Sequence, residues 1–335
     1  MLDNNYSPVN VPDLDQVLLS VLGHPFTGDC CFLCAEPLKE DFTQEHVIPQ
    51  WLQKKYQLHN QRITLLNGTD ISYRQLTIPC CSRCNRIHLS QLENHIKKYF
   101  TKGILSDSQT DRHALYRWCA KIYIGLLYKE LFLKANRERA DSSKIGTHNS
   151  FDNLKILWLW LHTSFRQFQA TDPPGSVFIF RCADLPTGMS FDLLDDCFSN
   201  CIALRIGTIG VIVDFLDHHV HYSECWHHLS EHRQQKLGHL QFRELSSQIF
   251  YKARLIHIST DVSFYAVPPD RRLIISFNPQ FPDPSVFCQE WDNNVYARVL
   301  AGYTGISLSQ LYDQDRKMVW TFLRDSSGQL TSESI

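Results

Sequence analysis

The chain has 335 residues, enough for two domains, and its formal net charge of −2 excludes a globally basic nucleic-acid coat. Its composition is that of an ordinary globular protein, and its most apolar run, residues 154–161, is too short to span a bilayer as a helix. The first residues lack the basic and apolar regions of a signal peptide, and scattered cysteines (Cys119, Cys182, Cys197, Cys201, Cys225, Cys288) suit a reducing cytoplasm, so a cytoplasmic, non-membrane protein is expected.

Residues 1–29 read as a lead-in, with a short amphipathic helix over 13–22. Two Cys-x-x-Cys knuckles follow, Cys31/Cys34 and Cys81/Cys84. Each turns two thiolates onto one point, and four sulfurs match the tetrahedral preference of Zn²⁺, so a structural zinc is expected. Cys30 and Cys80 each adjoin a knuckle cysteine and leave the ligand choice open by one residue.

Between the knuckles, residues 42–48 read as a first strand that carries Glu45 and His46. Residues 50–56 read as a helical turn, 56–73 as an inserted loop and 75–79 as a second strand. A helix over 85–100 follows, packing through Leu89, Leu92 and Ile96. A carboxylate beside an imidazole, with the Asn85 amide carbonyl brought close by the thiol clamp, can hold Mg²⁺ or Mn²⁺ on Glu45 and Asn85 while His46 faces a water. His88 would add a metal or phosphate contact. Arg83, Arg86, Lys97, Lys98 and Lys102 form either a phosphate-gripping or a solvated face.

Beyond a linker at 103–109, one long amphipathic helix is predicted over 111–139, with Arg112, Arg117, Lys121, Lys129, Lys134, Arg137 and Arg139 as its basic side chains; its role is packing or contact with the nucleic-acid backbone, with packing favoured. A polar linker over 140–149 and a Trp-rich helix over 151–169 come next, ended by Pro173-Pro174-Gly175. Strands are expected at 177–182, 201–206 and 209–215, the last two joined at Thr208, and a second hairpin at 262–267 and 273–277. Helices are expected at 242–252 and 308–323, and a disordered tail from Asp325. His218, His219, His221, His227, His228, His232 and His239 crowd one stretch near Glu224 and Cys225 without regular ligand spacing, which favours a polar surface loop over a second metal site.

Glu45-His46-Val47-Ile48-Pro49, flanked by Cys-x-x-Cys and by Cys-x-x-Cys-Asn, resembles the HNH endonucleases and a subgroup of uncharacterised bacterial HNH proteins. The likeness covers about the first third of the chain. It implies a ββα-metal fold with His46 as general base and Glu45 and Asn85 holding the catalytic divalent metal. The family's middle asparagine has no clear counterpart, its place falling near Gln75, and the gap from His46 to Cys81 is long for the family.

The expected architecture is therefore α+β: an HNH zinc-knuckle module over 1–105, a connector helix and linker over 106–150, an α+β domain over 151–324 and a tail over 325–335. The expected function is hydrolysis of phosphodiester bonds in nucleic acid, DNA by family habit, with RNA still open. A protein partner or homodimer contact through the C-terminal half is open too. The alternative is a catalytically silent zinc module that binds nucleic acid or protein, as a subunit of a defence complex.

Overall fold

The computed structural model describes residues 29–40, 42–103, 106–146, 152–163, 168–170, 172–267, 272–281 and 289–331. The helix expected over 13–22 and the turn at 268–271 lie outside the described residues.

The N-terminal region is built on two antiparallel strands, β1 (Thr43–His46) and β4 (Thr77–Cys80). Helix α1 (Gln50–Lys55) follows β1, starting directly after Pro49, where a fixed φ suits helix entry. The expected loop over 56–73 instead carries a small hairpin, β2 (Arg62–Thr64) with β3 (Asp70–Ser72). After the second knuckle the chain winds as a π-helical segment, Cys84–Leu89, and continues as α2 (Ser90–Lys102), capped by left-handed Gly103.

Helix α3 (Gln109–Leu131) corrects the helix predicted over 111–139 in extent and in character. It ends eight residues early by the printed bound, and nearly every side chain from Ala114 to Leu131 is buried, Lys121 included. A helix apolar on one side only lies on a surface; this one is enclosed. Gly125 permits the close approach of β1 and β4: a Cβ there would meet Val47 Cγ1 at 3.1 Å and Ile78 Cδ1 at 3.3 Å. Helix α4 (Asp152–His162) packs beside α3, and Trp158 Nε1 donates to Phe32 O at 2.8 Å, tying it to the first knuckle.

Downstream, β5 (Phe168–Ala170), β6 (Ser176–Cys182), β7 (Phe191–Asp196), β8 (Cys201–Ile206), β9 (Ile209–Asp214), α5 (Val220–Ser230), β10 (Lys236–Leu237) and α6 (His239–Leu255) follow. A five-stranded sheet runs β10-β6-β9-β8-β7, antiparallel except for β10 on β6. Left-handed Gly207 makes the tight β8–β9 turn. Strands β8 and β9 are buried along their whole length, and β6 everywhere but Arg181, because both sheet faces are covered. Val177, Ile179, Leu204 and Val211 join the core that contains α3 and the N-terminal strands, whereas Phe178, Phe180 and Ile212 pack with Phe242, Leu245 and Ile249 of α6.

The hairpin β11 (Ser259–Val267) and β12 (Arg272–Gln280) is antiparallel, with β5 parallel to β12. The helix predicted over 308–323 is absent: one turn, α8 (Leu308–Leu311), precedes a hairpin of β13 (Tyr312–Asp313) and β14 (Met318–Val319). Asp313 Oδ1 accepts from the backbone of Asp315 and Arg316, which fixes the turn that stops the helix. An unpredicted helix, α7 (Asn293–Thr304), packs on α6. The expected disorder from Asp325 is corrected for 325–331: Arg324 bridges Leu330, and Gln241 Nε2 donates to Thr331 O. The fold is thus mixed α+β, and among the described residues no helix is long and apolar enough to cross a membrane.

Candidate metal centre and the strand beside it

The two knuckles meet because β1 and β4 pair. Phe32 N donates to Pro79 O, which lays the first knuckle against the end of β4. The chain turns after Cys34 through left-handed Ala35, and Cys84 N points at Cys81 Sγ at 3.4 Å. One sulfur from each of Cys31, Cys34, Cys81 and Cys84 lies within 4.8 Å of the others, a group able to hold a metal ion. Tetrahedral bonds of ~2.3 Å give sulfur–sulfur edges of about 3.8 Å. Cys34 Sγ to Cys81 Sγ is 3.8 Å. Cys80 Sγ is also 3.8 Å from Cys31 Sγ but falls outside the four-sulfur group, and Cys30 sits in a bridge with Pro37.

The thiols share their protons unequally. Hydrogen bonds from Cys34, then Cys80 and Cys84, pull the Cys31 thiol far down. The same contact with Cys31 pushes Cys34 up to about 12 and raises Cys80 and Cys84 further. The crowded sulfurs disfavour more than partial ionisation of the bare cluster, which a cation at the centre would relieve.

Glu45 and His46, adjacent on β1, engage different neighbours, as side chains alternating across a strand do. Glu45 is buried, and its Oε1 lies 2.5 Å from Lys121 Nζ of α3. That ammonium also contacts Glu93 Oε1 at 3.2 Å and donates to His46 O and Val47 O at 2.8 and 3.2 Å. Burial opposes the charge on Lys121, but Glu45 and Glu93 outweigh it and hold the ammonium above its usual value. His46 is half-buried, its Nδ1 3.4 Å from Gln53 Nε2 of α1. Burial lowers its basicity, with Glu45 opposing and Lys121 and His59 adding to the fall.

Asn85 is the second residue of the π-helical segment. Its Nδ2 donates to Thr43 Oγ1 at 2.8 Å, and Thr43 Oγ1 donates to Cys80 O at 3.1 Å. The amide is thereby oriented, with Oδ1 left as an acceptor. His88 is partly exposed, and burial, then Arg83, lowers its basicity. Arg83, Arg86, Lys97, Lys98 and Lys102 are all exposed. Gln75 accepts from Ser72 N and Ser72 Oγ, closing the short turn before β4.

The basic residues of α3 face inward or along the protein. Lys129 Nζ donates to Thr77 O, Arg112 to Val177 O and Tyr222 Oη, and Arg117 to Thr163 Oγ1. Sequence reasoning missed Lys121 as a neighbour of Glu45, because helical spacing cannot reveal which acids meet a lysine across the fold.

The histidine-rich stretch is not the polar surface loop expected. His221 and His232 are buried, and His221 Nδ1 lies 2.7 Å from Asp214 Oδ2. Asp214, Asp217 and His221 form a second group able to hold a metal ion. Burial, followed by the neighbouring Asp214 carboxylate, pushes Asp217 up to about 7. The side chains of His227 and His228 lie outside the described residues.

No protein-family model matches the chain, and no curated protein and no solved structure matches it.

Proposed function

We propose that the chain is a metal-dependent endonuclease of the HNH type, with Zn²⁺ on Cys31, Cys34, Cys81 and Cys84 holding its ββα segment together. The observation that carries this reading is the register of β1 on β4. It pairs Thr43 with Cys80, directly before the second knuckle, while Asn85 reaches back to Thr43 Oγ1. The strand of Glu45 and His46, the thiol group and the start of the helical segment thus share one small unit.

In this reading His46, kept neutral by burial, takes a proton from water. The hydroxide attacks the phosphorus in line, and the bond to the 3′ oxygen breaks, that oxygen gaining a proton from solvent. Asn85 and Glu45 would hold Mg²⁺ or Mn²⁺, which would supply Lewis-acid charge at the phosphate. His88 adds a phosphate contact, and the exposed Arg83, Arg86, Lys97, Lys98 and Lys102 supply charge for the nucleic-acid backbone. DNA is the proposed substrate.

The contact between Glu45 and Lys121 favours a second reading, since a carboxylate that neutralises a buried ammonium is a poorer cation ligand. Here the zinc-held unit binds nucleic acid or protein without cutting. The full chain, incubated with supercoiled plasmid, single-stranded DNA and RNA in Mg²⁺, Mn²⁺ or EDTA, separates the two. Metal-dependent nicking that His46→Ala abolishes while zinc content stays unchanged supports the nuclease. Equal nicking by His46→Ala sinks it, and binding without cleavage in either metal supports the silent module.

A further inference from the structure

We infer that Asp214, Asp217 and His221 form a second divalent-cation site, remote in sequence from the thiol cluster and suited to Zn²⁺ or Mn²⁺. One ligand atom from each residue lies within 4.8 Å of the other two. Asp214 ends β9, Asp217 follows in the turn, and His221 stands in the first turn of α5. The turn between them runs through His218 and His219, both left-handed at φ 48° and 66°. Two consecutive non-glycine residues in that region are strained, and such strain persists only where the surroundings enforce it. Here it brings His221 back onto the acid that ends β9.

The three residues are 2%, 3% and 1% exposed, so both carboxylates are almost out of water. Burying two like charges beside a single imidazole is costly unless a further positive charge is present. The bonding is also incomplete. Asp217 Oδ2 accepts from Ser176 Oγ at 2.6 Å and from His221 N at 2.8 Å, which fixes the carboxylate. Asp217 Oδ1 is buried with no hydrogen-bond partner, and the His221 nitrogen that faces both acids is Nδ1, 2.7 Å from Asp214 Oδ2 and 4.0 Å from Asp217 Oδ2. Buried polar atoms in folded proteins are ordinarily satisfied, and an unsatisfied carboxylate oxygen within an acid–histidine cluster points to a missing ligand.

The cluster has an entrance. Asp214 and Asp217 line a cleft of about 410 Å³, together with Asn200, Arg254, His257 and Thr260. Two oxygens and one imidazole nitrogen suit Zn²⁺ or Mn²⁺ better than Ca²⁺ or Mg²⁺, and three protein ligands beside an open cleft leave a position for water or an anionic ligand.

The test is a Co²⁺ titration of the full chain after chelator treatment, with bound Co²⁺ counted by elemental analysis. Sulfur-bound Co²⁺ gives an intense near-ultraviolet thiolate band, and Co²⁺ on oxygen and nitrogen does not, so the two centres are read apart. Asp217→Asn and His221→Gln are each expected to bind one Co²⁺ fewer per chain than the parent, with the thiolate band unchanged. The inference is overturned if both variants match the parent, or if the parent binds only the thiolate-banded ion. Should Asp217→Asn fail to fold by circular dichroism, His221→Gln and the parent stoichiometry decide. Loss of the thiolate band in the parent would count against the zinc clamp and leave this site standing or falling on the remaining Co²⁺.

Discussion

Lys121 Nζ lies 2.5 Å from Glu45 Oε1, with the lysine side chain 0% and the glutamate side chain 8% exposed. One ammonium thereby joins three pieces of chain: β1 and the residue after it, through Glu45 and the carbonyls of His46 and Val47; α2, through Glu93; and its own helix α3. Removing one partner of a buried pair leaves an uncompensated charge and costs about 3–5 kcal/mol, whereas replacing both is often close to neutral. Lys121→Met is expected to lose stability in that range, and Lys121→Met combined with Glu45→Gln to recover more than half of it. Urea unfolding measures both; a single-variant loss below ~1 kcal/mol would mean that the pair is not the joint described.

The thiol cluster yields a sharper expectation about which sulfurs matter. Cys34→Ser removes a member of the four-sulfur group, whereas Cys80→Ala and Cys30→Ala leave that group whole. Sulfur-bound metal is expected at one ion per chain in the parent, Cys80→Ala and Cys30→Ala, and to be lost in Cys34→Ser. Binding to a folded-only site is itself folding energy, so metal loss is expected to open residues 29–102 to protease. Retention of sulfur-bound metal by Cys34→Ser would show that another cysteine ligates.

What could be read from the chain was what is local. The knuckle spacing located the thiols, and the apolar runs of β6, β8 and β9 announced buried strands. Long-range partners stayed hidden: Lys121 looked like one more solvated cation on an amphipathic helix until two acids met it across the fold. His221 was lost among neighbouring histidines, because residue spacing does not show which acid a histidine meets once the chain turns back after β9 onto Asp214. The missed helix α7 carries a readable start, Asp292 accepting from Asn294 N and Val295 N, but its polar first residues masked the apolar spacing behind them.

Acid should strengthen the fold through Glu130. This residue is 6% exposed, and burial, with Asp195 adding to it, pushes its carboxyl up to about 7. A backbone hydrogen bond from Leu66 N, 3.1 Å to Oε1, opposes this only partly. The folded chain therefore holds this proton to a higher pH than the unfolded chain, whose glutamate titrates near 4.5. Between those values the folded state binds more protons, so stability falls as pH rises through the window. At 1.36 kcal/mol per unit, the full loss is on the order of 3 kcal/mol. Glu130→Gln keeps an acceptor for Leu66 and is expected to flatten the slope, making the variant more stable than the parent at pH 8. Urea midpoints from pH 4 to 8 measure it, and parallel curves for the two proteins would refute the assignment.

Gly210 sets how closely α6 approaches the five-stranded sheet. It pairs with Phe180 on β6 and with Arg205 on β8, so the position lies in the interior of the sheet. A Cβ added there would sit 2.4 Å from Phe242 Cε2, 2.8 Å from Phe242 Cδ2 and 3.1 Å from Cys182 Sγ. Phe242 is fully buried in the core beneath α6, beside Leu245 and Ile249, so its ring has little room to yield. Overpacking of this kind costs about 1–3 kcal/mol, and Gly210→Ala is expected to fall at the upper end. Phe242→Leu removes the clashing ring atoms at the cost of a cavity. The pair should couple: Gly210→Ala in the Phe242→Leu background is expected to cost at least ~1 kcal/mol less than in the parent. A four-protein unfolding cycle measures this, and strict additivity would mean that the added methyl is accommodated by a movement of the sheet and not by the ring.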